Sequence, residues 1–319
     1  MSLRQMEMAL PVVVAILASA SRLCAEQAAW QPSPGHTQVP IWPREAPGAQ
    51  RDAGLEEDAV TVTSGAGEMK LVAGKPWIAV RNVSRPTMTV YSPEGNNTGT
   101  AVVVFPGGGY NILAIDLEGT EVCDWLTSKG ITCVLLKYRV PGVKVGPYRN
   151  CSTALEDAQR TVGLVRFHAA EWHIDPHRIG VLGFSAGGHM AAAMSTQFEQ
   201  RLYPAVDAAD QESCRPDFAL ALYPGHLAVP ETDFALNPDI QVSNHTPATF
   251  LLQAEDDPVD PVENSLVYYA ALRKAGVPAE MHLYAKGGHA FGLRRTESPI
   301  TEWPQLAEAW LGSIGMIPK

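Results

Sequence analysis

Residues 178–197 read RIGVLGFSAGGHMAAAMSTQ, and this stretch decides the fold. Its first five residues predict a buried strand, and the small residues from Ala186 onward predict a helix that packs closely on that strand. Ser185 lies at the turn between the two, inside the pattern G-x-S-x-G. A serine in such a turn projects above the sheet beside a helix N-terminus, where an anionic intermediate is favoured. The stretch therefore predicts a nucleophile at Ser185, with a capping serine in a glycine-rich turn as the alternative.

Strands and helices alternate on both sides of this turn. Apolar runs predict further buried strands at residues 101–105, 131–138, 218–223, 250–254 and 280–284. Helices are predicted at residues 117–128, 152–172, 263–275 and near 303–311. Shorter alternating segments at residues 60–63, 78–83 and 87–91 are typical of antiparallel strands. This alternation predicts an α/β domain with a mainly parallel central sheet and helices on both faces.

Composition excludes several classes of protein. The chain has 319 residues, of which 46% are hydrophobic and 18% charged, which is enough to bury one large core and excludes a disordered chain. Lys and Arg number 24 against 34 Asp and Glu, giving a formal net charge of −10. Binding to a nucleic-acid backbone requires a basic surface, so we expect no nucleic-acid partner.

The beginning of the chain predicts export. Residues 9–20 form a 12-residue apolar run after Arg4, which is too short to span a bilayer and is typical of a signal peptide over residues 1–25. An uncleaved anchor is the alternative. Prolines recur through residues 26–59, which predicts an extended arm before a catalytic domain at 60–319. We therefore expect a secreted or periplasmic protein that leaves the membrane once its signal is cleaved.

Four cysteines follow the predicted signal peptide: Cys123, Cys133, Cys151 and Cys214. An oxidising compartment would allow one or two disulfides among them, and the sequence does not choose between the three pairings or four buried thiols. No C-x-x-C pair occurs, so structural zinc is not expected.

A glycine-rich loop follows the strand at residues 101–105. It reads FPGGGY and contains Gly108 and Gly109. Unobstructed backbone amides are what an oxyanion hole requires, so amides of this three-glycine loop and the amide of Ala186 are predicted donors. A flexible loop at a strand end is the alternative.

Two later loops supply a base and an acid for the serine. The last predicted strand is followed by KGGHAF, which contains His289, and the strand before it by EDDPV, which contains Glu255, Asp256 and Asp257. The chain order nucleophile, acid, histidine is that of α/β-hydrolases. Asp257 is the favoured acid because Asp-Pro-Val fixes a turn just beyond the strand; Asp256 and then Glu255 remain alternatives.

These motifs resemble those of α/β-hydrolase fold serine esterases, in the group that includes secreted acetylxylan esterases and feruloyl-type esterases often labelled xylanase-like. The resemblance covers residues 41–43, 46–48, 105–110, 118–119, 136–139, 157–160, 183–189, 256–259, 280–284 and 287–291. It implies a triad of Ser185, Asp257 and His289, with Gly108 and Gly109 in the oxyanion loop.

Three other residues are candidates for the substrate cleft: Tyr110, Glu118 and Arg139. Their alternatives are structural, since Glu118 could cap a helix and Arg139 could pair with a carboxylate at the edge of the core. His189, on the helix after the nucleophile, is expected to be structural.

The resulting hypothesis is a secreted carboxylic-ester hydrolase that acts through an acyl-enzyme, without metal or organic cofactor, on small-molecule or polysaccharide esters. A serine peptidase and a non-catalytic carbohydrate-binding homologue are the alternatives. A glycosidase is not expected, because its two carboxylates must face each other across the scissile bond, whereas those at 255–257 share one loop. The segment between the strands ending at 223 and beginning at 250 is short and rich in proline, which predicts an open cleft that prefers short acyl groups.

Overall fold

The computed structural model describes residues 29–48, 56–140 and 151–318. Its strands are β1 (Gln38–Pro40), β2 (Asp58–Thr61), β3 (Leu71–Val72), β4 (Lys75–Pro76), β5 (Ile78–Arg81), β6 (Thr87–Tyr91), β7 (Ala101–Phe105), β8 (Ile112–Ala114), β9 (Thr132–Lys137), β10 (Ile179–Phe184), β11 (Phe218–Leu222), β12 (Ala228–Val229), β13 (Ala235–Leu236), β14 (Ala248–Ala254) and β15 (Ala279–Tyr284). Its α-helices are α1 (Glu121–Ser128), α2 (Ser152–Phe167), α3 (Ala186–Thr196), α4 (Glu263–Lys274) and α5 (Trp303–Ser313). The predicted signal peptide lies outside the described residues.

Eight strands form the central sheet in the order β1-β6-β9-β7-β10-β11-β14-β15. The six strands from β9 to β15 are mutually parallel, and β6 and β1 extend one edge in antiparallel pairing. The predicted mainly parallel α/β sheet is confirmed. Gly183 is opposite Phe105 and Phe184 is opposite Leu222, so β7, β10 and β11 end at nearly the same level. The loops that follow these strands are thereby gathered at one edge, where ligands of open α/β sheets bind.

Apolar side chains from the strands and helices form one core around this sheet. Every residue of β7, β9, β10 and β11 is buried. Helix α3 packs on β10 and β11, α1 on β9, and α5 on β14. The ring of Trp310 on α5 packs against Phe218 and Phe250, with centroids 6.3 and 5.6 Å apart. Burying each such side chain contributes about 1.5–3 kcal/mol, so helix docking on the sheet supplies much of the stability.

Several elements differ from the sequence-based expectation. The helix predicted over residues 117–128 begins as a π-helix, Asp116–Thr120, before α1. The helix predicted to reach residue 172 ends at Phe167, and the chain then turns through His173, which has φ +55°, to enter β10. The proline-rich arm also contributes β1 to the sheet edge and buries Ile41 and Trp42. These features depend on contacts with distant residues, which local sequence patterns do not encode.

A buried carboxylate joins this arm to the domain. Asp157 on α2 accepts hydrogen bonds from Trp42 Nε1 at 2.8 Å and from the backbone N–H of Arg139 at 3.0 Å. The Arg139 guanidinium also pairs with Asp157 and donates to the carbonyls of Pro47 and Thr153. The expected place of Arg139 in a substrate cleft is therefore wrong: its side chain is buried, and its donors bind a core carboxylate and the arm.

One pair of cysteines is bonded. A disulfide joins Cys123 on α1 to Cys133 on β9, while Cys151 and Cys214 are free thiols. The disulfide ties α1 to the strand on which it packs. Among the described helices, none combines the length and the apolar character that crossing a membrane requires.

We expect Asp157→Ala to lower the free energy of unfolding by about 3 kcal/mol. The substitution leaves the buried Arg139 charge with Glu156 as its remaining carboxylate partner and leaves Trp42 Nε1 without its acceptor. Denaturant unfolding followed by circular dichroism measures this loss. The matched control is Glu302→Ala, which breaks the exposed Arg295–Glu302 ion pair and should cost less than about 1 kcal/mol. Equal losses in the two variants would contradict a structural role of the buried pair.

Candidate active site

The site begins at a strained turn between β10 and α3. Ser185 has φ +53° and ψ −116°, a backbone conformation that non-glycine residues rarely adopt. Its N–H donates to the carbonyl of Leu222 at 3.0 Å, and its own carbonyl accepts from His189 N at 3.0 Å. Hydrogen bonds to β11 and α3 keep Ser185 in this strained conformation, in which its side chain is directed away from the sheet.

Two glycines are needed for this turn because backbones approach each other closely. A Cβ atom on Gly183 would lie 1.9 Å from the carbonyl oxygen of Gly187, and one on Gly187 would lie 2.0 Å from that of Phe105. Neither contact is sterically possible. The G-x-S-x-G pattern thus reflects the packing of the turn between β7, β10 and α3.

The structure brings Ser185, His289 and Asp257 together. His289 Nε2 lies 3.0 Å from Ser185 Oγ, and His289 Nδ1 donates to Asp257 Oδ2 at 2.7 Å. The Asp257 side chain is fully buried, and its Oδ1 accepts from the backbone N–H of Val259 and of Asp260. Backbone hydrogen bonds therefore orient the acid, the acid orients the imidazole, and the imidazole faces the serine.

The alternative acids have other positions. Asp256 Oδ1 accepts from the N–H groups of Gly287 and Gly288, each at 2.8 Å. It fixes the loop that carries His289 without contacting the imidazole. The Glu255 side chain is exposed. Of the three carboxylates after β14, only Asp257 contacts His289.

Charges around His289 favour its protonated form. Burial by itself lowers the pKa of His289, but the hydrogen bond and charge of Asp257 and the charge of Asp260 outweigh it and raise that pKa above its ordinary value of 6.5. The Tyr223 ring packs edge-on against the imidazole, with centroids 4.9 Å apart. His289 is thus held as a strong base close to a serine hydroxyl.

The glycine loop after β7 lies beside this pair. Gly108 and Gly109 have φ +130° and +62°, and a Cβ on Gly108 would lie 2.2 Å from the carbonyl of Ile112. The carbonyl of Gly108 accepts from Ile112 N at 3.2 Å. The amides of Gly108, Gly109 and Ala186 make no hydrogen bond to another described residue. These amides can therefore donate to an added acceptor, and their role in an oxyanion hole stays a prediction.

Glu118 has a different position from the one expected. Only 2% of the residue is exposed; one carboxylate oxygen accepts from Gly107 N at 2.8 Å, and the other accepts from the Tyr223 hydroxyl at 2.8 Å. The Tyr223 hydroxyl oxygen also accepts from Gly292 N. The expected cleft-lining role of Glu118 is therefore wrong. Its carboxylate lies behind the glycine loop and connects that loop to the segment after His289.

Tyr110 lies directly after the glycine loop, with its hydroxyl 2.9 Å from His189 Nδ1. Burial lowers the pKa of His189 to about 3, so its imidazole is neutral at physiological pH. Tyr110 is half-buried at this edge of the sheet, which is compatible with a place in the cleft, whereas His189 is a core residue. In the described part of the chain, no cluster of three or more His, Cys, Asp or Glu is arranged to hold a metal ion.

Asp260 is a site residue that the sequence reasoning missed. Its Oδ2 accepts from the Ser185 hydroxyl at 3.1 Å and lies 3.7 Å from His289 Nε2. Burial, together with the charge of Asp257, raises the pKa of Asp260 to about 6 despite the opposing effect of His289. The available signal was a second carboxylate three residues after the triad acid, in the sequence DPVD.

Sequence comparison gives the family. The profile of the alpha/beta hydrolase fold family matches residues 102–293, more than half of the chain and a range that includes Ser185, Asp257 and His289. The chain belongs to the α/β-hydrolase family. The resemblance noted from the motifs is thereby confirmed.

Two relatives of this α/β-hydrolase have names that refer to xylan. The chain is 31% identical over 237 residues to the acetylxylan esterase of Xylanibacter ruminicola, covering 71% of this chain and 48% of that protein. It is 28% identical over 229 residues to endo-1,4-beta-xylanase B of Butyrivibrio fibrisolvens, covering 66% and 35% respectively. The chain therefore spans at most about half the length of these two relatives.

Among solved structures, this α/β-hydrolase is similar to the acetyl ester-xyloside bifunctional hydrolase of Caldicellulosiruptor lactoaceticus. The two are 34% identical with a TM-score of 0.67, and the alignment covers 88% of this chain and 97% of that one. The similarity therefore extends over nearly the whole of the solved chain.

We expect Asp257→Asn to lower the pKa of His289, because the hydrogen bond and charge that raise that pKa are weakened or removed while the imidazole remains buried. NMR titration of the imidazole protons, with His289→Asn identifying the signal, measures the change. Glu199→Gln removes an equal charge beside the exposed His245 and should leave the His289 titration unchanged. An unaltered His289 pKa in Asp257→Asn would contradict the arrangement of the triad.

Proposed function

We propose that this α/β-hydrolase is a serine carboxylic-ester hydrolase that removes acetyl or other short acyl groups from carbohydrate esters. The observation that carries the proposal is the chain of contacts from Ser185 to His289 to Asp257 beside a glycine loop. A serine hydroxyl is a weak nucleophile until a base removes its proton. Here a buried acid orients that base and stabilises the imidazolium it becomes on taking the proton.

The geometry supports acyl transfer in two stages. In the first, His289 Nε2 takes the Ser185 proton while Oγ bonds to the ester carbonyl carbon. The negative charge that develops on the carbonyl oxygen is stabilised by the amides of Gly108, Gly109 and Ala186. His289 then gives its proton to the departing alcohol oxygen. In the second stage water releases the acid from the acyl-enzyme.

Carbohydrate acetates are the proposed substrates because of the relatives. An acetylxylan esterase at 31% identity and an acetyl ester-xyloside hydrolase at 34% identity, from different organisms, are both named for acetyl esters. The insertion before β14 contains the short β12–β13 hairpin, and a short insertion is compatible with an open cleft. The hairpin is held in place because the backbone N–H groups of Leu227 and Ala228 donate to the side chain of Asn264. A bulky sugar alcohol would fit such a cleft.

Export is part of the proposal. The apolar run at residues 9–20 supports a cleaved signal, and the Cys123–Cys133 disulfide fits an oxidising compartment such as the periplasm or the extracellular space.

We expect Ser185→Ala to abolish hydrolysis of p-nitrophenyl acetate in a protein that still folds, because the hydroxyl supplies chemistry and little packing. Asp257→Asn should lower kcat by about 10⁴-fold, the effect known for triad acids. Steady-state kinetics measures both.

The control is Glu255→Gln, which removes a carboxylate from the same loop at an exposed position and should retain full activity. Undiminished turnover in Ser185→Ala would overturn the proposed nucleophile. A greater loss in Asp256→Asn than in Asp257→Asn would show that the acid is the neighbouring residue.

We expect kcat/KM to fall once the acyl chain exceeds about four carbons, since a shallow pocket stops gaining contact there, whereas an enclosed pocket would gain about 0.8 kcal/mol per buried CH₂. A series of p-nitrophenyl esters from acetate to decanoate measures the trend, with acetylated xylan tested in parallel. A steady rise to decanoate would indicate a lipase instead.

A further inference from the structure

The Ser185 hydroxyl has one hydrogen and two acceptors within reach. His289 Nε2 lies 3.0 Å from Oγ, and Asp260 Oδ2 lies 3.1 Å from it. A catalytic triad accounts for the first acceptor only. Asp260 is therefore a carboxylate in direct contact with a reacting atom that the two-stage scheme leaves without a role.

Asp260 is held rigidly in this position. Only 6% of its side chain is exposed, its backbone N–H donates to Asp257 Oδ1, and its carbonyl accepts from Gln253 Nε2 at 2.7 Å. A Cβ on Gly225 would lie 2.5 Å from Asp260 Oδ1, so the carboxylate fills the space beside that glycine. The close packing keeps Oδ2 directed at Ser185.

Acylation of Ser185 removes the hydrogen that Asp260 accepts. The Oγ atom then carries the acyl group, and a buried carboxylate oxygen is left without its donor, which is unfavourable. Oγ itself stays in place, so a new donor to Asp260 Oδ2 and His289 Nε2 must lie beside it, next to the carbon that water must attack. A donor with two hydrogens would satisfy both acceptors.

We propose that Asp260 is a further catalytic residue, which together with His289 holds the hydrolytic water of the acyl-enzyme by accepting one of its two hydrogens. The inference rests on the proposed esterase function and concerns its second stage. A water that donates both hydrogens at about 2.8 Å each spans acceptors roughly 4.4 Å apart. The 3.7 Å separation of Nε2 and Oδ2 is about 0.7 Å shorter than this span, so a water can reach both acceptors with its hydrogen bonds bent from linearity. Both lone pairs of such a water are directed away from the acceptors, and one can face the acyl carbon.

The step balances without any further reactant. The water oxygen bonds to the acyl carbon as His289 Nε2 takes one hydrogen, while the other hydrogen stays on the oxygen and remains bonded to Asp260. The carbon–Oγ bond then breaks, and Oγ recovers a proton from Nε2. The products are a carboxylic acid and the Ser185 hydroxyl, which donates to Asp260 again.

The ionised form of Asp260 performs this role. The ionisable groups facing it are His289, Asp257 and the buried Glu118. Burial raises the pKa of Asp260 to about 6, so the acceptor is present above this pH. As the pH falls through about 6 the carboxyl gains a proton and becomes a donor. This loss adds to the one caused by protonation of His289, whose pKa lies above 6.5, so the rate of deacylation should fall more steeply than protonation of His289 alone would make it.

Burst kinetics with p-nitrophenyl acetate test the proposal. In Asp260→Asn a charged acceptor becomes a neutral one, and we expect the deacylation rate to fall about tenfold. In Asp260→Val no acceptor remains, and the loss should approach 10²-fold. Because acylation does not use this water, kcat and KM should fall together while kcat/KM stays within about threefold. A burst of one p-nitrophenol per protein chain shows that the variant is folded and acylated.

Methanol provides a second readout that a merely structural role would not change. Methanol has one hydroxyl hydrogen, so it can donate to His289 but not also to Asp260. Loss of Asp260 should therefore penalise water more than methanol. The ratio of methyl acetate to acetate should rise about tenfold in Asp260→Asn and approach a 10²-fold rise in Asp260→Val. Glu255→Gln, the exposed control on the same loop, should keep the wild-type ratio.

An unchanged partition ratio in Asp260→Asn and Asp260→Val would overturn the proposal, as would a fall in kcat/KM equal to the fall in kcat. Both results presuppose a wild-type enzyme that turns over the ester. If the wild-type protein shows neither burst nor turnover with any ester, the proposed function itself fails, and this outcome is distinct from failure of the inference.

Discussion

The close approach of three backbones at the nucleophile turn is the constraint on which the rest of the site depends. Gly183 and Gly187 allow α3 to start against β10 and against the end of β7, at distances where any side chain would collide. This packing places Ser185 in a strained conformation with positive φ and sets the glycine loop beside it. The register of β10, β11, β14 and β15 then fixes where the acid and histidine loops must meet the serine.

The features that the sequence predicted are those determined by local patterns. Apolar runs identified the buried strands. Because Ser185, Asp257 and His289 each follow the carboxyl end of a strand, they were expected at one edge of the sheet, and the structure has them within hydrogen-bonding distance there. Side chains whose role depends on distant partners were misassigned or missed. Arg139 and Glu118 are polar residues next to motif segments, but their partners Asp157 and Tyr223 are separated from them along the chain and meet them only in the fold.

The buried carboxylates of this molecule fall into two kinds. Those of Asp157 and Glu118 are each bound by several donors, and they hold separate segments together. The Asp260 carboxylate accepts a hydrogen bond from the Ser185 hydroxyl, whose hydrogen would be lost during acyl transfer. A buried anion with several permanent donors stabilises a structure, whereas one with an intermittent donor changes its environment during each catalytic cycle.

The contacts of Glu118 have a mechanical consequence. One carboxylate fixes the first amide of the glycine loop and, through the Tyr223 hydroxyl, the backbone at Gly292, just beyond His289. The glycine loop, which would receive the negative charge, and the loop that carries His289 are thus connected through one buried carboxylate. A displacement of one loop therefore moves the other with it, so the distance between the glycine loop and the His289 loop stays constant.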